Sequence, residues 1–381
     1  MQNNISNNFK FAIDLGTTTI ELALLDTNGA VIATDYFNNP QSLYGKDIIN
    51  RINTASRNHA FIKTMKDMVI KSISISMDTL LKQNKIAHDK VSALCICGNT
   101  TMISILLEYK LDELGIYPFS HKLEYSIVKH SKEVFYQDFP IDCYVFFSGC
   151  ASAFIGGDVL AGLAYIKNEY RPKADEIYLF MDLGTNGELV LYHNYTYYTT
   201  SCACGPAFEA CNRCTNIYGS SIIDAIALGI KLKHISTDGI LNDEYLNSGI
   251  DIMGININCE LLRDILLAKA AIKTGIDILV KEAAIQVDDI NYLYVAGGFG
   301  FYLNADNAAY IGLIPKELRD KYIVLGNSSL KGAIEILKSQ DSSNNISIEL
   351  IDNLIAGDIR LIQMANLPDY QERLINNMYY K

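Results

Sequence analysis

Residues 9–26 read FKFAIDLGTTTIELALLD, and residues 177–194 read IYLFMDLGTNGELVLYHN. Each stretch is an apolar run ending in Asp-Leu-Gly-Thr, then a polar turn, then a second run carrying Glu-Leu-x-Leu. The turn is one residue shorter in the second copy. Apolar β-formers on either side of a Gly-containing turn predict a β-hairpin in both places. The repeat, about 170 residues apart, predicts a chain built from two similar halves.

The residue types in the turns point to anion chemistry. Gly16 and Gly184 let the backbone approach an anion where a Cβ would obstruct it. Successive turn N–H groups, with the hydroxyls of Thr17, Thr18 and Thr185 and with Asn186 beside them, can donate to phosphate oxygens. Asp14 and Asp182 close their strands against the same anion. A carboxylate there repels phosphate unless a cation lies between, which implies Mg²⁺ held jointly by the two. Alone, Asp-Leu-Gly-Thr is also an ordinary tight turn; the duplication favours the phosphate reading. A third element, INYLYVAGGFGFYLN (290–304), predicts a buried strand over Tyr292–Ala296 running into Gly297, Gly298, Phe299 and Gly300. A double glycine after a strand lets a flat ring lie over the backbone, although it also suits a plain strand-to-helix turn.

The remaining composition sets bounds. A chain of 381 residues exceeds one core and suits two domains. With 49% hydrophobic and 20% charged residues it has the make-up of a globular enzyme. Net charge −11 disfavours nucleic acid as a partner. The start has no long apolar run, and no stretch approaches the roughly 18 apolar residues that span a bilayer, so a cytoplasmic protein without membrane contact is expected. Six histidines show no ligand spacing. Segment 58–88 has helical periodicity through Phe61, Met65, Met68, Val69, Ile73, Met77 and Leu80. VSALCICGNTTMISILLEY (91–109) reads as strand, Gly-Asn turn and a helix capped by Asn99 or Thr100.

Nine cysteines are an odd number, which argues against a disulfide framework. Cys95, Cys97, Cys143, Cys150 and Cys259 stand in apolar contexts and are expected in the core. The other four crowd into TTSCACGPAFEACNRC (199–214) as Cys202, Cys204, Cys211 and Cys214. Gly205-Pro206 looks like a helix start, which would put Cys211 and Cys214 on one helical face and the first pair in the preceding loop, where the helix N-terminus favours thiolate. The spacing matches no well-marked zinc or ferredoxin pattern. Two readings stand: a metal or iron–sulfur cluster, or reduced thiols packed beside the site.

The hairpins and the late double glycine resemble the actin, sugar kinase and Hsp70 (ASKHA) superfamily. Its fold is α/β, with two ribonuclease H-like domains and a nucleotide cleft between them. More narrowly, CGNTTMISIL (97–106), GGDVLAGLAY (156–165), DLGTNGELVL (182–191), CACGPAFEA (202–210), GSSIIDAIA (219–227) and AGGFGFYLNADNAAYIGLIP (296–315) resemble the ATP-dependent reductive activators of corrinoid proteins. That resemblance implies ATP and Mg²⁺ as ligands, and a first domain over 9–160 with the phosphate 1 loop. A second, over 161–381, would carry the phosphate 2 and adenosine loops. It implies that Asp158 faces the γ-phosphate beside Asp14 and Asp182, and that Gly297, Gly298 and Phe299 meet adenine. A corrinoid protein is the implied partner, with the electron donor unspecified and a homodimer in keeping with relatives. Such activators usually carry a ferredoxin module, commonly N-terminal, and a first phosphate strand starting near residue 10 leaves it no room. A cluster on the four cysteines could replace it. The alternatives are a small-molecule kinase of the same superfamily, which needs a base for its acceptor hydroxyl, and a non-catalytic nucleotide-binding scaffold.

Overall fold

The computed structural model describes residues 8–123, 126–184, 186–204, 219–339, 351 and 358–380. Two compact units divide the chain. The first opens with β1 (Phe9–Leu15), β2 (Thr19–Leu25) and β3 (Val31–Asn38), followed by α1 (Ile48–Arg57) and α2 (Ala60–Gln83). Then come β4 (Val91–Gly98), α3 (Thr100–Leu106), β5 (Ser126–His130), α4 (Ser131–Val134), β6 (Tyr144–Ser148) and α5 (Gly157–Tyr165). The sheet order is β3-β2-β1-β4-β6-β5. β1 to β3 form an antiparallel meander, and β4 and β6 add in parallel. Central β1 is covered on both faces: Phe11, Ile13 and Leu15 are buried on one side and Ala12 on the other. Such two-sided burial explains its near-continuous apolar sequence. Edge strand β3 alternates instead, with Tyr36 76% exposed. α2 turns Met65, Val69, Ile73, Met77 and Leu80 inward as their spacing predicts.

The second unit repeats the plan with β7 (Tyr178–Leu183), β8 (Asn186–His193) and β9 (Thr196–Ala203), then α6 (Gly219–Lys231), β10 (Ile250–Ile252), β11 (Ile255–Ile257) and α7 (Cys259–Glu282). β12 (Tyr292–Ala296), α8 (Gly297–Phe301), α9 (Ala305–Tyr310) and β13 (Tyr322–Gly326) complete its core. The order β13-β12-β7-β8-β9 mirrors β6-β4-β1-β2-β3 of the first sheet, with the same pattern of parallel and antiparallel neighbours. Each sheet adds one strand at an opposite end: β5 on β6 in the first, and β14 (Asp358–Leu361) on β9 in the second. A short helix, Tyr370–Asn376, follows Pro368.

Between β13 and β14 lies α10 (Ser328–Lys338), which belongs to the first unit. It packs on α5, β1 and β4. A Cβ on Gly332 would stand 2.0 Å from the Ala161 carbonyl oxygen, so the two helices touch backbone to backbone. Lys10 Nζ donates to Leu337 O at 2.6 Å and ties the helix end to β1. The first unit therefore runs through Pro172 and reclaims α10, where the sequence reading closes it at 160. No described helix is long and apolar enough to cross a membrane.

Candidate functional site

In the first unit the β1–β2 turn is Gly16-Thr17-Thr18. A Cβ on Gly16 would lie 2.5 Å from the Thr19 carbonyl, so the tightness of the turn itself already demands glycine. Each turn carbonyl is held from behind. Asn39 Nδ2 donates to Gly16 O at 2.8 Å, Arg51 Nη2 to Thr17 O at 2.6 Å, and the Asn39 N–H to Thr18 O at 2.8 Å. Asn99 caps α3 by accepting from the Met102 N–H at 3.0 Å, which fixes its amide so that Nδ2 donates to Thr17 Oγ1 at 2.9 Å. With its lone pair engaged, the Thr17 hydroxyl keeps its own proton for a further acceptor.

Asp14 lies beside this turn, opposite Glu21 on β2 and Cys97 on β4. Directly opposed residues share a sheet face, so two carboxylates stand side by side. Burial pushes the Cys97 thiol well up, and the charge of Asp14 adds to the effect. Asp158 enters from the first turn of α5. Close approach requires glycine at 156, where a Cβ would meet Asn99 Cα at 2.6 Å and Asp158 Oδ1 at 2.7 Å. The Asp158 carboxyl is therefore packed against the turn whose Asn99 holds Thr17. Burial raises it to about 6, against hydrogen bonds from the Val159 N–H and its own N–H. Asp14, Thr17, Asn99 and Asp158 are thus gathered within this unit.

The second unit repeats the acid pair: Asp182 faces Glu188 on β8 and neighbours Ala296 on β12. The Gly184 N–H donates to Asn186 O at 2.9 Å, and a Cβ on Gly184 would meet nothing nearer than that oxygen at 3.8 Å. Asn186 opens β8, while Thr185 lies outside the described residues. Gly297 begins α8 at φ +84°, with a Cβ position 2.3 Å from Leu183 O and 2.9 Å from Asp182 Oδ1. Strand β12 thus delivers the double glycine onto the Asp182 hairpin. A Cβ on Gly298 would meet no atom within 4 Å. The Phe299 side chain, 7% exposed, sits in the core and leaves its backbone at the turn.

The cysteines depart from expectation. Cys202 lies in β9 opposite Gly187, not in a loop, and Cys204 follows the strand at once; what comes after it lies outside the described residues. Both are buried, with sulfurs 3.9 Å apart. The contact with Cys202, then burial, push the Cys204 thiol well above the usual range, the reverse of the expected thiolate. Cys211, Cys214 and Gly205-Pro206 lie outside the described residues. No group of three or more metal-ligating side chains occurs among the described residues. Cys95, Cys97, Cys143 and Cys150 are buried as expected, but Cys259 is exposed because it starts α7 on its solvent side. The pairing of Glu21 with Asp14 and of Glu188 with Asp182 was missed in the sequence, as were Asn39 and Arg51; the repeated Glu-Leu after each turn was the available signal for the two glutamates.

Residues 9–169 match the RACo middle region, and residues 176–214 and 210–381 match the C-terminal domain of RACo, the ASKHA domain. The chain belongs to the RACo family. Its two sheets are the ribonuclease H-like domains of the actin-type fold. Among RACo relatives, the corrinoid activation enzyme RamQ of Eubacterium limosum is 26% identical over 435 residues, covering 98% of this chain and 70% of RamQ. The [Co(II) methylated amine-specific corrinoid protein] reductase of Methanosarcina barkeri is 22% identical, covering 93% and 74% of the two chains. A solved structure of a reductive activator for a corrinoid, iron–sulfur protein superposes with TM-score 0.82 at 26% identity, over 99% of this chain and 67% of that one.

Proposed function

We propose that this RACo-family chain binds and hydrolyses MgATP and couples the reaction to reductive activation of a corrinoid protein, whose cobalt passes from Co(II) to Co(I) by one electron from a separate donor. The observation that carries the nucleotide reading is the duplicated hairpin with its opposed acid pair, Asp14–Glu21 and Asp182–Glu188. Like charges placed directly opposite destabilise a sheet. Doing so twice, beside turns rich in N–H and hydroxyl donors, suits a divalent cation that takes oxygen ligands and itself carries phosphate oxygens. Bound there, Mg²⁺ would neutralise charge developing on the phosphates. Thr17, Thr18, Gly184 and Asn186 would orient the phosphates, Asp158 would orient the attacking water, and Gly297-Gly298 would receive the adenine. The corrinoid partner rests on what the relatives above are named for.

Phosphate release should require Mg²⁺ and rise when a Co(II) corrinoid protein and a low-potential reductant are added, with Co(I) appearing in the absorbance spectrum. Absence of hydrolysis with and without the corrinoid protein would overturn the ATPase reading. Hydrolysis without Co(I) would overturn the partner.

A further inference from the structure

Arg51 is buried to 0% exposure, on the inward face of α1, and every group it touches is neutral. Nε donates to Gly45 O at 2.9 Å, and Nη1 to Gln41 Oε1 at 3.2 Å and toward Met102 Sδ at 3.0 Å. Nη2 donates to Thr17 O at 2.6 Å. A buried cation without a carboxylate partner is costly, and burial lowers this guanidinium to about 10, with Asp47 opposing the shift. Gln41 and Asn39, also fully buried, extend the scaffold: Gln41 Nε2 donates to Met65 O at 3.2 Å, and Asn39 Oδ1 accepts from the Gln41 N–H at 2.9 Å.

In a trans peptide the C=O and the following N–H point opposite ways. Holding Gly16 O and Thr17 O from behind therefore turns the N–H groups of Thr17 and Thr18 to the other side. Among the described residues neither N–H has an acceptor, and Thr18 is exposed. We infer that Arg51 is the positioning residue of the phosphate hairpin, fixing the Thr17–Thr18 peptide so that the Thr18 N–H faces an anion, as Asn39 does for the Thr17 N–H, and setting a positive charge directly behind them. The inference rests on the nucleotide reading above and gives the guanidinium, which has no carboxylate in contact, a compensating charge beyond the field of Asp47: a polyphosphate on the far side of one peptide plane. A cation one peptide away through protein is screened far less than one across water.

The test compares Arg51→Gln, which loses the charge, with Arg51→Lys, which keeps it but lacks the fork that reaches Gln41, Gly45 and Thr17 together. Affinities for ATP and for adenosine are measured by calorimetry, with melting temperature as the folding control. The ratio of ATP to adenosine affinity should fall about tenfold or more in Arg51→Gln and by a smaller factor in Arg51→Lys, adenosine affinity staying level. An unchanged ratio in either variant would overturn the inference, as would equal loss of both ligands, which marks a purely structural role. Should Arg51→Gln fail to fold, the Arg51→Lys ratio decides alone. Wild-type protein that binds neither ligand would instead sink the nucleotide reading itself.

Discussion

Asp158 carries its carboxyl in the partly buried first turn of α5, where burial holds it near 6 instead of 3.8. A carboxyl raised in the folded state stabilises the fold fully below its unfolded value and loses that contribution as pH climbs through about 6. Asp158→Asn cannot ionise, so without nucleotide or divalent ion it should melt above the wild type at pH 7.5 by up to about 3 kcal/mol and match it near pH 4. Its hydrolysis should nevertheless fall sharply, separating stability from turnover; equal pH-melting curves for the two proteins would remove the strain argument. Asp14→Ala and Asp182→Ala should each lower hydrolysis by about a hundredfold, the scale of losing one preorganised electrostatic partner. Wild-type turnover in either variant would take that residue out of the site. Arg51 and Asn39 were hidden in the sequence because nothing in NNPQSLYGKDIINR marks a polar side chain as buried. Their burial comes from contacts with Thr17, Gly16 and Met102, which no local pattern encodes.

At the level of the element, α8 converts the double glycine from a turn into the first helical residues after β12. The two glycines differ in kind. Gly297 is forced by φ +84° and by Leu183 O, whereas Gly298 has nothing within 4 Å of a Cβ. Gly298→Val should therefore keep its melting temperature to within about 1 kcal/mol of stability, since valine is no worse than glycine in a helix. ATP affinity should drop at least about tenfold, because the branched side chain would fill the space assigned to adenine. Calorimetry showing unchanged ATP affinity in the folded variant would place the base elsewhere. Gly297→Ala is the contrasting control, expected to lose stability first. Both hairpins, β12 to its residue and the α2 face were legible because apolar period and turn chemistry agree there. Cys202 was not: β9 runs through it, pairing with Gly187, where the Gly-Pro that follows suggested a loop.

For the whole molecule, two similar halves, each opening on a hairpin, were legible from the repeat, while their strand order and the ownership of α10 were not, since packing against α5 leaves no mark in local sequence. The cysteine stretch is a question at this scale too. A four-thiolate cluster would have to draw Cys202 and Cys204 out of a core in which both are buried and in which contact with Cys202, then burial, hold the Cys204 thiol well above its usual range. Protein prepared without oxygen should accordingly be colourless, with no stoichiometric iron or sulfide. A brown preparation whose colour vanishes in a Cys211→Ser/Cys214→Ser variant would reverse that expectation. The place of α10 also orders events during synthesis. α10, with Leu330, Ile334, Ile336 and Leu337 buried, packs on α5, β4 and β1, all made earlier in the chain. At about 1.5–3 kcal/mol per buried side chain, their absence would remove much of the roughly 5–15 kcal/mol that keeps a domain folded. A nascent chain emerging from the ribosome can therefore complete neither unit from its earliest residues: the first sheet waits for α10, and the second for β14 and for Met364 and Tyr380 of its core. The half that is translated first stays unfinished until most of the other half has been made.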